Sequence, residues 1–479
     1  MMPAPLPWTA LAPLIVLAGS AVVVMAVIAF HRGHRLTLAL TLIGLGATLA
    51  LLPAAARAPR AATSLLTVDG FALFFIGLAA AAALVVALLG YDYLSRQEVR
   101  REEFYILLLV ATLGAATLAA ASHLVSFFLG LEILSVSLYG LNAYLHRQAL
   151  PLEAGIKYLV LAASSAAFLL FGMALLYAAT GTMSFAGLAG ALPAAPTSLV
   201  LPGAMLVLVG VGFKLGLVPF HLWTPDVYQG APAPVAAFIA TASKAGVFAV
   251  LLRFFYLAGG SHSQRAMLAI TVLAIASMVG GNLLALRQRN LKRLLAYSSI
   301  AHMGYLLVAL EAASASRAMA AAAVGFYFLA YFITTLAAFG VISLLSNGAG
   351  EPADVEDYRG LYWRRPWLAL VLTAMLLSLA GIPLTAGFLA KFYVVAAGAA
   401  ATLWLLLLVL VVTSVIGLFY YLRVVAAVFA APGAAPALAL TRPLAWSGGC
   451  VLGVLLAALI WIGVYPQPFL HLVLSLPLR

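Results

Sequence analysis

Fourteen stretches of mostly apolar residues, joined by short connections that hold most of the charge, leave this chain very few folds to choose from. A helix needs about 20 such residues to cross the roughly 30 Å hydrocarbon core of a bilayer. The stretches fall at residues 8–30, 36–56, 70–91, 103–121, 123–145, 153–179, 199–221, 232–257, 264–286, 292–313, 317–346, 366–399, 401–431 and 443–465. Their apolarity is continuous where a barrel strand would alternate, so they read as helices. With 66% hydrophobic and 8% charged residues, an ordinary soluble protein is excluded, and no segment outside the spans has the size of a soluble domain. The expectation is an all-α polytopic membrane protein of about 14 transmembrane helices.

The connections carry a topology signal. Arg32 and Arg35, then Arg96, Arg100 and Arg101, then Arg147, then Arg287, Arg289, Lys292 and Arg293, then Arg359, Arg364 and Arg365 fall on one side. The positive-inside rule places that side in the cytoplasm and both termini outside. Arg57, Arg60, Arg265 and Arg317 fall on the other side and weigh against this without reversing it. The formal charge of +12 thus comes from arginines between spans, and a nucleic-acid partner is not expected. The leading MMPAPLPWTA has no positive n-region, so the first span reads as a retained helix and not a cleaved signal. Cys450 is the sole cysteine and lies in an apolar stretch, which gives no basis for a metal cluster. Arg253 and Arg423 read as interfacial anchors, and His123, near a span end, as structural.

Lysine is distributed differently from arginine. Lys157, Lys214, Lys244 and Lys391, four of the five lysines, lie inside apolar stretches. An ionised side chain at the bilayer centre costs about 3 kcal/mol on insertion scales and roughly 10 or more in simulations, so each is a candidate functional residue. A buried lysine can give up its proton and an arginine in practice cannot, which points to proton handling over charge anchoring. Lys157 is about five residues from the end of its span, where snorkelling is the plain alternative. Glu132 is the one carboxylate deep inside a span; close to Lys214 it would act as a counter-charge whose movement or protonation frees the lysine proton. Lys244 is then the natural next acceptor, with Lys391 beyond it. A frozen Glu132–Lys214 pair that only fixes helix register is the duller reading.

Two spans are interrupted. Span seven contains Lys214, Pro219, His221, Pro225 and Asp226, and span twelve contains Gly381, Pro383, Gly387 and Lys391. Proline removes a backbone donor and clashes with the preceding turn, which a membrane tolerates only where protein or water satisfies the freed groups. Spans four to eight and nine to thirteen read as two five-helix units, each broken at its fourth helix, and an odd helix count makes the two inverted. The organisation expected is residues 1–102 as three leading helices, 103–258 as the first unit, 259–431 as the second and 432–479 as a closing helix.

The stretch KLGLVPFHLWTPDVYQGAPAP, from Lys214 to Pro234, resembles the broken seventh helix of the antiporter-like membrane subunits of respiratory complex I, NADH:quinone oxidoreductase. LKRLLAYSSIAHMGY (Leu291 to Tyr305) and AGIPLTAGFLAKFY (Ala380 to Tyr393) are similar to the same family, and the likeness runs over nearly the whole chain, most strongly residues 120–395. A Pro-Asp-Val-Tyr-Gln-Gly-Ala-Pro motif and a lysine at 391 in place of glutamate distinguish one branch of it. By motif, the resemblance implies that Glu132 and Lys214 form a glutamate–lysine pair, Lys157 and Lys244 are linking lysines, His221 is the broken-helix histidine and Lys391 the terminal lysine. His302, in the second motif, joins them as a candidate. Leu384 stands where relatives often have a second proline, which implies a softer kink. The implied activity is proton translocation in a bacterial inner membrane without redox chemistry, with no cofactor in this chain and with other complex I membrane subunits, lipids and protons as partners. A subunit of a multi-subunit cation/proton antiporter is the alternative, and a structural membrane module with frozen charges is the third reading.

Overall fold

The computed structural model describes residues 8–57, 62–260, 263–347, 350–431 and 446–474. Arg60 and residues 443–445, the start of the last expected span, lie outside the described residues. In chain order the helices are α1 (Trp8–Phe30), α2 (His34–Ala55), α3 (Gly70–Ser95), α4 (Glu103–Ala120), α5 (Leu124–Asn142), α6 (Ala149–Thr180), α7 (Phe185–Ala191), α8 (Thr197–Leu215), α9 (Trp223–Gly230) and α10 (Ala233–Phe238). They continue as α11 (Lys244–Leu257), α12 (Gln264–Leu286), α13 (Leu291–Glu311), α14 (Arg317–Leu345), α15 (Leu361–Arg364), α16 (Pro366–Ala380), α17 (Ala386–Ala400), α18 (Trp404–Phe429), α19 (Trp446–Val464) and α20 (Gln467–Leu474). Among the described residues only isolated bridge pairs stand in place of strands.

Among the described residues thirteen helices are long and apolar enough to cross a membrane, counting α10 and α11 as one. The expected fourteenth is there as two 15-residue halves, α16 and α17. Span seven was expected to reach residue 221. It stops at Leu215, the end of α8, because Gly216 takes a left-handed φ of 72° that closes the helix. The proline-rich stretch that follows forms the short α9. Span twelve breaks harder than expected at Leu384. Gly381 closes α16 with φ of 89°, Leu384 is itself left-handed at φ of 69°, and the Thr385 hydroxyl accepts from the Phe388 N–H to start α17. The glycine cap and the missing donor of Pro383 end the helix whatever follows them.

Neighbouring helices approach closely where glycine removes a side chain. A Cβ added to Gly114 of α4 would lie 2.5 Å from the Leu134 nitrogen of α5, and one on Gly281 of α12 would lie 2.7 Å from the Ala301 nitrogen of α13. Small residues at such crossings are what packs helices in lipid, where apolar side chains gain little by leaving one another's company for lipid tails. These contacts fix α5 and α13, both of which carry site residues.

Burial is uneven. The span formed by residues 233–257 is fully buried over its most apolar window, against 28% for α2. With α13 and α14 it makes the centre of the molecule, while α1, α2, α18 and α19 face outward. The arginine-bearing connections meet at one end: Arg32 pairs with Glu103 at 3.0 Å, the Tyr144 hydroxyl donates to the Arg100 carbonyl at 2.8 Å, and Arg96 donates to the Ser346 carbonyl at 2.7 Å.

Arg253 corrects the sequence expectation. It is fully buried and forks onto Asp69 at 2.7 and 2.9 Å, the same carboxylate that caps α3, so it joins two helices inside the protein. A planar guanidinium meeting a carboxylate two-pronged is the geometry that makes such burial tolerable. Arg423 sits at its span end but serves as a cap, donating to the Leu286 and Gln288 carbonyls at the close of α12. His123 caps α5 by accepting from the Val125 N–H.

Candidate functional site

The most buried helices carry the most polar groups. Lys214 lies in the last turn of α8 and is 3% exposed; its amine donates to the Ser135 hydroxyl of α5 at 2.6 Å and to the Tyr158 hydroxyl of α6 at 3.3 Å, and lies 5.0 Å from the Tyr158 ring centre. Ser135 in turn donates to the Leu131 carbonyl, which leaves its lone pairs for the amine. Glu132, one turn before Ser135, is only half-buried. One of its carboxylate oxygens is buried without a hydrogen-bond partner, and the Lys214 amine bonds Ser135 and Tyr158, so the expected Glu132–Lys214 pair is not joined by a hydrogen bond.

Lys244 is completely buried and opens α11 after a π turn at Ile239–Ser243. Such turns widen the helix by one residue and recur at functional sites. The amine donates to the Ser299 hydroxyl of α13 at 2.8 Å, and Ser299 also accepts from Tyr331 of α14 at 2.8 Å. The break after α8 brings the first lysine's neighbourhood to the second: a Cβ on Gly216 would lie 3.5 Å from the Lys244 amine. The same Cβ would lie 2.7 Å from the Thr224 hydroxyl, too close to be accommodated without a shift, which is a second reason for glycine at 216.

His302 follows Ser298 and Ser299 by one turn of α13 and is bonded on both ring nitrogens, Nδ1 to the Tyr327 hydroxyl at 2.6 Å and Nε2 to the Tyr421 hydroxyl at 3.2 Å. Tyr421 is bonded to Ser298 as well. On the far side of His302, its ring lies 5.5 Å from that of Tyr305. Lys391 of α17 sits 5.3 Å over the same Tyr305 ring and donates to the Ala380 carbonyl at 2.9 Å, one of the carbonyls left free where α16 stops. Hydroxyls, a histidine and ring faces therefore run from Lys244 past His302 to Lys391.

Two expected members stand apart. Lys157 is half-exposed and pairs with Glu153 at 2.6 Å and Asp226 at 2.8 Å, and Asp226 also holds Arg293 at 2.6 Å. Consecutive helix residues point about 100° apart, so Tyr158 faces Lys214 while Lys157 faces this ion-pair cluster. His221 lies between α8 and α9, mostly buried, with Nδ1 unpartnered and its ring 6.4 Å from Tyr297. It is not bonded to the lysines. The fifth lysine, Lys292, assigned from the sequence to a connection, is buried at the start of α13 and paired with Glu351 at 2.6 Å.

Sequence reasoning missed the hydroxyls that partner the lysines, Ser135, Tyr158 and Ser299, and those that bond Ser299 and His302 in turn, Tyr331, Tyr327 and Tyr421. A signal was present in Tyr327 and Tyr331, four residues apart on one face of an otherwise apolar helix, and in the Ser298–Ser299–His302 spacing.

The chain belongs to the NADH:quinone oxidoreductase/Mrp antiporter transmembrane family, whose model matches residues 121–417. Subunit N of the NADH-quinone oxidoreductase of Ectopseudomonas mendocina (strain ymp) is 52% identical over 476 residues, 97% of this chain and 95% of that protein. A chain of respiratory complex I from Thermus thermophilus with bound aureothin superposes with a TM-score of 0.83 at 37% identity, over 96% of this chain and 98% of that one. A chain of the Mrp complex from Dietzia sp. DQ12-45-1b has the same fold, with a TM-score of 0.84 at 21% identity over 97% of this chain and 96% of that one.

Proposed function

We propose that this chain is a proton-translocating membrane subunit of a bacterial respiratory NADH:quinone oxidoreductase, driven by redox chemistry that other subunits perform. One observation carries the reading: Lys214 and Lys244, buried, and Lys391, partly buried, make hydrogen bonds to neutral groups and no ion pair among the described residues, at the two helix interruptions and the π turn. A lysine with hydroxyl, carbonyl and ring partners can hold or lose its proton without breaking an ion pair. Protons step from Lys214 to Lys244 and on to Lys391, with Ser299, Tyr331, His302 and Tyr305 bridging the second interval. Glu132, half-buried on α5, is the adjustable counter-charge through which a neighbouring subunit acts on Lys214. Lys157 and His221 lie beside the row.

The two five-helix units, 103–258 and 259–431, are inverted copies in this reading: the lysine precedes the break in the first and follows it in the second. The arginine-bearing end faces the cytoplasm of a bacterial inner membrane and the termini lie outside. The chain holds no flavin, cluster or quinone, and its partners are the other membrane subunits of the complex and surrounding lipid. Likeness to a subunit N at 52% identity supports complex I over a cation/proton antiporter: the matched family spans both, and likeness to the Mrp chain, at 21% identity, is of fold alone. The test is Lys214→Ala in the assembled complex in vesicles. NADH-driven proton pumping should be crippled, and pumping at the unaltered rate overturns the reading.

A further inference from the structure

Glu311 closes α13 and is 2% exposed, as buried as Asp69 at 3%. Asp69 has Arg253 and Glu351 has Lys292, but among the described residues no cation reaches Glu311. Its carboxyl meets a single hydroxyl, that of Thr271 on α12, at 2.9 Å from one oxygen and 3.0 Å from the other. The same hydroxyl lies 3.0 Å from the Met267 carbonyl.

A threonine hydroxyl has one hydrogen to give. Two arrangements therefore fit these oxygens without moving any of them. In one, Thr271 donates to a Glu311 carboxylate. In the other, Thr271 donates to the Met267 carbonyl and a protonated Glu311 donates to Thr271. The site gains or loses a proton by reorienting one hydroxyl.

Its place on α13 gives that property a use. The helix carries Lys292 at the arginine-bearing end, then Ser299, His302 and Tyr305 beside the lysine row. Glu311 is six residues past Tyr305, about 9 Å along the axis at 1.5 Å per residue, toward the opposite end. Ser314, less than a turn farther, is exposed, and its hydroxyl donates to the Glu311 backbone carbonyl at 2.8 Å.

We propose that Glu311 is the outlet station of this chain, a carboxylate that takes the proton leaving the Lys391–Tyr305 region through intervening water and hands it to solvent at the end opposite the arginine-bearing connections. The inference rests on the proton-translocating reading. The experiment compares Glu311→Gln, Glu311→Asp and Lys214→Ala in the assembled complex in vesicles. Glutamine keeps the shape and the contact with Thr271 but has no proton to release. It should slow NADH-driven pumping at least about tenfold, a conservative figure beside the roughly 10²–10⁴-fold that a positioned proton-transfer group typically contributes, and aspartate should restore most of it. Unaltered pumping by Glu311→Gln beside a crippled Lys214→Ala overturns the outlet and leaves the function standing; unaltered pumping by both overturns the function itself. If the glutamine variant does not assemble, dicyclohexylcarbodiimide decides, since it adds to protonated carboxyls in apolar surroundings. It should label Glu311 in the unaltered complex and stop pumping, and an unlabelled Glu311 peptide overturns the proposal.

Discussion

The cations of this protein live in two kinds of place. At the ends of the bundle Arg253, Lys292, Arg293 and Lys157 are each paired with a carboxylate, at Asp69, Glu351, Asp226 and Glu153. Near the middle of the bundle, Lys214, Lys244 and Lys391 meet hydroxyls, a carbonyl and ring faces. A carboxylate partner fixes a charge, because losing the proton would strand the opposite charge in a dry site. Neutral partners leave the proton negotiable. Burial alone does not separate the groups, since Arg253 and Lys244 are both completely buried.

The largest effect that would sharpen this contrast is on assembly. Arg253→Met leaves Asp69 buried and uncompensated, at a cost of about 3–5 kcal/mol, and should sharply lower the yield of intact complex. The added change Asp69→Leu should recover part of it. Equal yields for both variants would mean the pair does not hold α3 to α11. Next comes Lys391→Met, expected to leave assembly intact and to slow proton pumping about tenfold or more. A collapse of assembly with normal pumping in what survives would place Lys391 with the fixed charges. Tyr331→Phe removes one donor to Ser299, worth about 0.5–1.5 kcal/mol, so pumping should fall by about tenfold at most with little change in thermal stability. The smallest effect is expected at Lys157→Gln. A half-exposed pair contributes about 1 kcal/mol or less, and pumping should stay within about twofold of the unaltered complex. A loss as large as that of Lys391→Met would return Lys157 to the row.

Much of this contrast could be read from the residues. The spans, both interruptions and the intramembrane lysines follow from hydropathy and proline placement, because a bilayer leaves so few ways to satisfy a backbone. What the sequence hid was partnership. Arg253 looked like an anchor because a charged residue near a span end usually is one, and its partner Asp69 is 184 residues away. Lys157 and Lys244 both read as lysines inside spans, the first near its span end, yet the step of about 100° from Tyr158 to Lys157 sends that lysine to an ion-pair cluster while Lys244 reaches the centre. The partner hydroxyls were invisible for a different reason: serine and tyrosine are ordinary in apolar helices, and only the crossing of α11, α13 and α14 makes Ser299 the acceptor of both the Lys244 amine and the Tyr331 hydroxyl. The π turn before Lys244 has no composition signal at all.

Lys244→Arg tests the central claim most directly. Arginine keeps a positive charge and donors for Ser299, but in practice it does not release its proton. In the assembled complex in vesicles, NADH-driven pumping should be lost although the charge remains. Pumping at the unaltered rate would contradict the account, because the position would then need only a fixed cation.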